Sequence, residues 1–224
     1  MISEIKSITE YSYFILANLE KYINTKFCLV TQWDGWVING QKWNSEFLNY
    51  DYIGAIWPDY SSNQIGNGGF SLRSKKLLSS TRDLIENDPK MPINLIEDNY
   101  ICRKKRGILE KKYQIKFSNT KLANSFSIEG NKLPLKSFGF HGMSNFHSAI
   151  NKDLELEKLI NIIIDENFKN RESYDLTKRL VREKRLDLAK LIIKRRFKVN
   201  GFSKKHVKLN FFLLTRKFFS LLTL

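Results

Sequence analysis

Acidic, histidine and glycine residues fall in four short segments whose chemistry suits a phosphate or metal site. The first contains Asp34, which directly follows the apolar run 27–32 and Trp33. A carboxylate just past a buried strand lies where an α/β sheet presents ligands to its crevice. Such a carboxylate can hold a hard divalent cation that substrate phosphates also bind. Asp34-Gly35 is equally typical of a two-residue hairpin turn, and the local sequence leaves both interpretations open.

The second segment is Gly66, Asn67, Gly68 and Gly69, just before an apolar run and a helix expected to begin near Arg73. Glycine lets a backbone approach a bulky ligand, and successive amide groups can form an anion-binding concavity. The segment lacks the Gly-Lys-Ser/Thr of a Walker loop and is not a dinucleotide fingerprint. Taken alone, it favours a mobile surface loop over a binding loop.

The remaining two segments offer a base and a further metal ligand. Glu97 and Asp98 precede an expected helix over 99–112, and a carboxylate there can remove a proton from an attacking hydroxyl. Capping of that helix by Asp98 is the ordinary interpretation, and the favoured one. His141 lies in an aromatic, glycine-rich turn, and neutral imidazole binds Mn²⁺ and related metals. A packed structural histidine is the commoner outcome in such a context.

The elements expected to position these residues change character near residue 150. Hydrophobic spacing and turn residues predict an α/β domain over 1–150 and a basic helical extension over 151–224. In the first domain the pattern predicts helices and strands in this order: helix 7–22, strand 27–32, strand 52–57, strand 69–72, helix 74–87 and helix 99–112. Ten of the eleven glycines lie before residue 150, so the later part is nearly free of helix breakers.

Composition excludes several classes of protein. With 42% hydrophobic residues, the 224-residue chain can bury a core, which excludes disorder throughout. Its two cysteines, Cys28 and Cys102, lack zinc-site spacing and suit a reduced, intracellular protein. No apolar run reaches the length of a spanning helix, and the first ten residues are too charged for a signal peptide.

The order of the four segments resembles a bacterial family. The matching series is Thr31-Gln32-Trp33-Asp34-Gly35, Tyr50-Asp51-Tyr52-Ile53-Gly54-Ala55-Ile56-Trp57, Gly66-Asn67-Gly68-Gly69-Phe70-Ser71-Leu72-Arg73-Ser74, Glu97-Asp98 and Phe138-Gly139-Phe140-His141-Gly142. The family is catalogued as a domain of unknown function and is regarded as glycosyltransferase-like, with a GT-A type fold. The resemblance covers roughly residues 7–147, and it departs at Ile56, where the family usually has proline.

The resemblance implies a nucleotide-sugar donor held through its diphosphate by Mn²⁺ or Mg²⁺. Gln32-Trp33-Asp34 matches the metal-binding Asp-x-Asp motif of GT-A enzymes, so Asp34 alone supplies a carboxylate to the metal. Gln32 can still hydrogen-bond a ribose or phosphate of the donor. His141 matches the histidine that often completes such metal sites.

The same resemblance makes Asp98 the general base and Glu97 its reserve. It assigns donor or acceptor contacts to the glycine-rich segment, which comprises Gly66, Asn67, Gly68 and Gly69, and to Arg73. The implied activity is hexosyl transfer to a glycan or lipid-linked acceptor, as in the synthesis of cell-surface polysaccharide.

One departure qualifies that activity. Only one helix and one strand are expected before Asp34, whereas a single βαβ unit already needs about 30 residues. We therefore expect an incomplete GT-A, Rossmann-like sheet that lacks the half binding the nucleotide base. The chain is then a truncated product, a half completed by another polypeptide, or inactive alone.

The net charge of +15 is concentrated near the C-terminus. Residues 171–224 hold 16 basic and four acidic residues, and 188–224 hold ten basic and none acidic. Basic and apolar clusters alternate there, which suits the surface of an anionic membrane, so we expect a cytoplasmic protein peripheral to the inner face. Packing of the apolar residues onto the first domain explains the pattern equally well. A non-catalytic basic protein that binds nucleic acid is the rival function, disfavoured because no nucleic-acid motif occurs.

Overall fold

A computed structural model describes residues 4–57, 59–87, 94–130 and 136–221, with side chains as far as residue 215. The chain divides into two compact units. The N-terminal unit comprises Met1–Glu129 and Lys136–His141, and the C-terminal unit comprises Gly130–Leu135 and Gly142–Leu224. The mixed α/β class with a helical C-terminus, expected from the sequence, is confirmed.

Among the residues that the structure describes in the N-terminal unit, six short strands form two three-stranded sheets. The strands are β1 Phe27–Thr31, β2 Gly35–Val37, β3 Tyr52–Ile53, β4 Phe70–Ser74, β5 Ser127–Glu129 and β6 Gly139–His141. The first sheet has the order β1-β4-β3 and is antiparallel throughout. Its central strand, β4, pairs on both edges, and all five of its residues are buried. The predicted strands at 27–32 and 69–72 are confirmed, and the one at 52–57 ends after Ile53.

The second sheet has the order β2-β6-β5, with β2 antiparallel and β5 parallel to β6. Its register pairs His141 with Gly35 on one side and with Glu129 on the other. Side chains at paired positions of neighbouring strands lie close together. The register therefore brings a carboxylate from β5 beside the histidine at the end of β6.

An aromatic cluster packs between the two sheets. Phe70 of β4 lies 5.3 Å from Phe126 and 6.1 Å from Phe138, measured between ring centroids. Phe47 adds an edge-to-face contact with Phe126 at 5.1 Å. Tilted and edge-to-face aromatic pairs at these distances are favourable, and they fix the two sheets relative to each other within this unit.

The helices of the N-terminal unit are α1 Ile8–Tyr13, α2 Lys75–Glu86, α3 Glu97–Asn99, α4 Arg106–Lys111 and α5 Thr120–Phe126. Helix α2 confirms the prediction for 74–87, and the side chain of Ser74 caps it by accepting a hydrogen bond from the Leu77 amide.

The helices predicted over 7–22 and 99–112 form close to those ranges, but neither is a regular α-helix throughout, because π-helical turns follow α1 and α3, at Phe14–Asn18 and Tyr100–Lys104. Each π-helical turn buries three consecutive residues, which the single apolar stripe of a regular α-helix does not.

The C-terminal unit is helical and has its own core. It contains α6 Phe146–Ala149, α7 Asp153–Ile162, α8 Arg171–Arg182, α9 Leu186–Asn200 and α10 Lys204–Leu221. Buried leucine and isoleucine residues fill its interior: Leu156, Ile160, Leu176, Leu180 and Ile192. Among the described residues, no helix is both long enough and apolar enough to cross a bilayer.

Candidate functional site

Asp34 lies where the chain passes from the first sheet to the second. The turn that contains it joins β1 to β2, and the Gly35 amide donates a 3.1 Å hydrogen bond to the Gln32 carbonyl. The hairpin interpretation is wrong, because β1 and β2 belong to different sheets. The crossing leaves Asp34 only 8% exposed, at the end of β1, where a carboxylate was expected.

Five residues meet around the imidazole ring of His141. We call them the histidine cluster: Gln32, Asp34, Asn67, Glu129 and His141. Its Nε2 atom lies 3.2 Å from Asp34 Oδ1 and 3.2 Å from Gln32 Oε1. Its Nδ1 atom lies 3.2 Å from Glu129 Oε1 and 3.1 Å from Asn67 Nδ2. The two residues predicted as metal ligands therefore meet, and the two predicted donor contacts Gln32 and Asn67 adjoin them.

The two carboxylates of the cluster control the charge of His141. Burial lowers the pKa of this imidazole, but hydrogen bonding and attraction by Asp34 and Glu129 outweigh burial and raise the pKa to about 10. At neutral pH the ring is consequently an imidazolium held between two carboxylates. This positive charge stabilises two acidic groups that would otherwise lie close together with little solvent.

The cluster offers oxygen ligands to a cation. The Asp34 carboxylate and the Gln32 amide oxygen are the ligand types that Mg²⁺ and Mn²⁺ prefer. Within the described part of the chain, Asp34 Oδ1 is buried, and its partner is His141, whose Nε2 lies 3.2 Å away in an ion pair. His141 can add a nitrogen ligand only after losing a proton.

The protein ligands alone do not complete a metal site. Across residues 4–57, 59–87, 94–130 and 136–221, no group of three or more His, Cys, Asp and Glu side chains is arranged around a metal position. Magnesium is commonly held by one or two carboxylates together with substrate phosphates. A cation held here would therefore have to take its remaining ligands from a bound phosphate compound.

The glycine-rich segment 66–69 is buried, so the surface-loop interpretation is wrong. It passes between the histidine cluster and Glu97 and Asp98, which we call the acidic pair, and it has no room for a side chain at any of its three glycines. A Cβ atom on Gly69 would overlap the His141 ring, and one on Gly68 would overlap the Glu97 carboxylate. Asn67 adopts a left-handed conformation with φ of 52°, and its Oδ1 accepts a hydrogen bond from the Gly69 amide.

Gly66 is held by the first sheet and a tryptophan. Its carbonyl accepts a 3.2 Å hydrogen bond from the Tyr52 hydroxyl, and its amide donates to the Ala55 carbonyl. A Cβ atom on Gly66 would overlap the Trp57 indole. Close packing inside the protein accounts for this glycine, which was predicted to contact a ligand.

Asp98 binds the glycine-rich segment directly. Its Oδ2 atom accepts a 2.9 Å hydrogen bond from the Gly68 amide, and its Oδ1 atom accepts one from the Asn99 amide at 2.6 Å. The capping interpretation is wrong, because α3 already begins at Glu97 and is preceded by Ile96. Burial and the neighbouring Glu97 raise the pKa of Asp98, although both amides and Arg73 oppose the rise.

Arg73 and Glu97 form a buried ion pair beneath the segment. The Arg73 Nη2 atom lies 2.8 Å from Glu97 Oε1 and 3.4 Å from the Gly68 carbonyl, and its Nε atom donates to Ser71 Oγ. Arg73 has no exposed surface and Glu97 is 4% exposed. The guanidinium of Arg73 was predicted to contact a ligand, but it is buried in this ion pair. Glu97, the predicted reserve base, is its partner.

The family model described as "Protein of unknown function (DUF5672)" matches residues 2–141, more than half of the chain. The chain belongs to this family. The DUF5672 match includes every residue of the histidine cluster and the acidic pair, and it ends at the last residue of the N-terminal unit. No curated protein and no solved structure matches the chain.

Three residues of the DUF5672 domain reach the site without having been predicted. The Tyr11 hydroxyl accepts a 3.4 Å hydrogen bond from Gln32 Nε2, and Ser12 Oγ accepts one from the Glu97 amide at 3.2 Å. Glu129 is the third. Tyr11 belongs to the apolar pattern of its helix, and the three-residue strand of Glu129 is too short for a periodic signal.

Proposed function

We propose that the DUF5672 domain is a glycosyltransferase-like enzyme that acts on a nucleotide-sugar and a glycan or lipid-linked acceptor. The observation that carries the proposal is the link between two chemically different groups through the glycine-rich segment. Asn67 contacts His141, and the amide of the next residue donates to Asp98. A cation-holding carboxylate and a separate base are the two functions that such a transfer needs.

The chemistry places opposite demands on the two groups. Negative charge develops on the departing diphosphate, while the acceptor hydroxyl must lose a proton. A divalent cation bound by Asp34 and Gln32, and by His141 once neutral, would supply positive charge beside the diphosphate. Asp34 Oδ1 is buried beside His141 Nε2 at 3.2 Å, so it becomes available for that contact when His141 loses its proton.

Asp98 is assigned the acceptor side. Its carboxylate takes the proton of the acceptor hydroxyl as the new bond from oxygen to the sugar forms. The bond from the sugar to the diphosphate breaks, and its electron pair leaves with the nucleoside diphosphate. Two backbone amides orient the carboxylate, and its raised pKa gives it more affinity for the proton than an ordinary aspartate has.

The GT-A type of fold belongs to this proposal. Two features support it: Asp34 follows the end of β1, and His141 is the last residue of β6. Ligands of α/β folds commonly bind beyond the ends of strands. The paired strands β1, β4 and β3 are antiparallel, so the likeness concerns the position of the carboxylate and the histidine rather than a parallel sheet.

The metal assignment can be tested by thermal unfolding of the full chain. Mn²⁺ together with a nucleoside diphosphate is expected to raise the melting temperature by about 5–10 °C at a hundred times the Kd. Asp34→Asn is expected to abolish the rise, because the carboxylate that holds the cation is lost. Glu46→Gln, an exposed acidic residue outside the site, is the control and should leave the rise intact. An equal rise in Asp34→Asn would show that the metal assignment is wrong.

A further inference from the structure

Helix α10 of the C-terminal unit has two apolar faces. Leu209 and Leu213 are buried on one face, where the helix contacts α8 and α9. Val207, Phe211 and Leu214 are 46%, 69% and 63% exposed. Their spacing of four and three residues aligns them on a single face, away from the buried pair. We call these three residues the exposed strip.

Uncompensated positive charge borders the exposed strip. Lys204 precedes Val207 by three residues and Lys208 precedes Phe211 by three, so both lysines neighbour the strip on the helix surface. Within the described part of the chain, Lys204, Lys205 and Lys208 form no ion pair, and all three are exposed.

Helix α9 differs in this respect. Its Arg195 and Lys198 both pair with Asp165, and Lys190 pairs with Asp187. Of the five basic residues on α9, only Lys194 and Arg196 lack an ion pair among the described residues, whereas Lys204, Lys205 and Lys208 on α10 all lack one.

We propose that α10 docks the chain on an anionic lipid bilayer. The exposed strip would enter the boundary between headgroups and acyl chains, and the lysines would contact the headgroup phosphates. A second copy of the chain is a poor occupant of this face. Residues 188–224 include ten basic and no acidic residues, so two copies that met through this region would repel each other. Nucleic acid would use the charge but not the aliphatic side chains of Val207 and Leu214. This docking is independent of the chemistry proposed for the DUF5672 domain.

Co-sedimentation of the full chain with vesicles tests the proposal. We expect binding to vesicles of equal parts phosphatidylcholine and phosphatidylglycerol, weakening as salt rises, and no binding to phosphatidylcholine alone. Replacement of Lys204, Lys205 and Lys208 by Gln is expected to lower the partition coefficient about fivefold per lysine, roughly a hundredfold in all.

The exposed strip is tested by a second triple variant: Val207→Gln, Phe211→Gln and Leu214→Gln. Partitioning is expected to fall tenfold or more, on the order of the apolar area withdrawn from the bilayer. Glutamine is a good helix former, so circular dichroism should match that of the wild-type protein. The matched control replaces three exposed apolar residues elsewhere in the same unit, Leu154, Ile162 and Ile164, and should bind as the wild type does.

Three results would overturn the proposal. The first is unchanged vesicle binding by both triple variants. The second is tighter binding to a generic oligonucleotide than to the mixed vesicles in the same salt series. The third is a loss of self-association in the strip variant, seen by sedimentation velocity, with vesicle binding unchanged. The lysine variant keeps the test decisive if the strip variant fails to fold, because its substitutions lie on exposed positions.

Discussion

Asp98 combines two properties that a general base needs, orientation and a raised affinity for protons. Its two oxygens accept hydrogen bonds from two different backbone amides, which leaves the carboxylate little freedom to rotate. Burial and Glu97 raise its pKa above the ordinary 3.8. Glu97 itself is ion-paired with Arg73 at 2.8 Å, so we assign the acceptor hydroxyl to Asp98.

Replacement of Asp98 tests this assignment. Asp98→Asn is expected to lower the rate of sugar transfer by about 100-fold or more, because the acceptor hydroxyl loses its base. The wild-type rate should rise with pH through the raised pKa of Asp98, as the reactive carboxylate form appears. That rise should be missing in the variant. Nucleoside diphosphate release measured across a pH series gives both the rate and its pH dependence, with Glu46→Gln as control. If the rate of Asp98→Asn rises with pH as the wild-type rate does, the base is another residue.

The same substitution has a signature in stability. Because the folded pKa of Asp98 is raised, its contribution to stability is fully present below the unfolded pKa and is lost as pH rises through the folded pKa. The free energy of unfolding of Asp98→Asn should therefore fall less than that of the wild type over this window. Urea unfolding at several pH values measures the difference without any substrate.

At the scale of elements, the glycine-rich segment 66–69 joins the histidine cluster to the acidic pair. It has this position because Gly68 and Gly69 lack the side chains that would occupy the places of Glu97 and His141. Arg73 lies in β4, the strand that follows the segment, and its guanidinium donates a 3.4 Å hydrogen bond to the Gly68 carbonyl. Removing one partner of a buried ion pair such as Arg73 and Glu97 typically costs about 3–5 kcal/mol, so the segment rests on a strongly coupled support.

Adding a methyl group to the segment tests its role. Gly69→Ala is expected to destabilise the protein by about 1–3 kcal/mol, because the methyl group overlaps the His141 ring and the segment or the ring must shift. The shift should also reduce the rise in melting temperature with Mn²⁺ and a nucleoside diphosphate. Gly107→Ala is the matched control: a Cβ atom there meets nothing within 4 Å, and alanine favours its helix by about 0.5–1 kcal/mol. Equal stabilities of the two variants would contradict the packing argument.

The sequence predicts those elements whose signal is local. The apolar runs of β1 and β4 and the helical pattern over 74–87 are clear in the sequence, and each element forms close to its predicted range. The π-helical turns within the predicted helices 7–22 and 99–112 bury three consecutive residues each, which helical periodicity does not predict. Glu129 reaches His141 only because β5 pairs with β6, and a short strand carries no information about its partner.

At the scale of the whole molecule, the net charge of +15 is distributed unevenly between the two units. Residues 171–224, all in the C-terminal unit, hold 16 of the 38 basic residues and only four of the 23 acidic ones. The residues of the histidine cluster and the acidic pair all lie in the N-terminal unit. Charge patterning therefore bears on surface binding by the helical unit, and the arrangement of carboxylates around His141 bears on chemistry in the other.

Each unit has a buried core of its own, so truncation of one core is expected to loosen that unit first. Leu180→Ala, in α8, should cost about 2–5 kcal/mol and lower hydrogen-exchange protection chiefly over 142–221. Leu77→Ala, at an equally buried position in α2, is the matched variant and should lower protection chiefly over 4–129. Exchange measured by mass spectrometry resolves both segments in one experiment. Equal losses of protection across both segments in both variants would instead identify a single cooperative unit. Core substitutions could not then alter the function proposed for one unit without affecting the other.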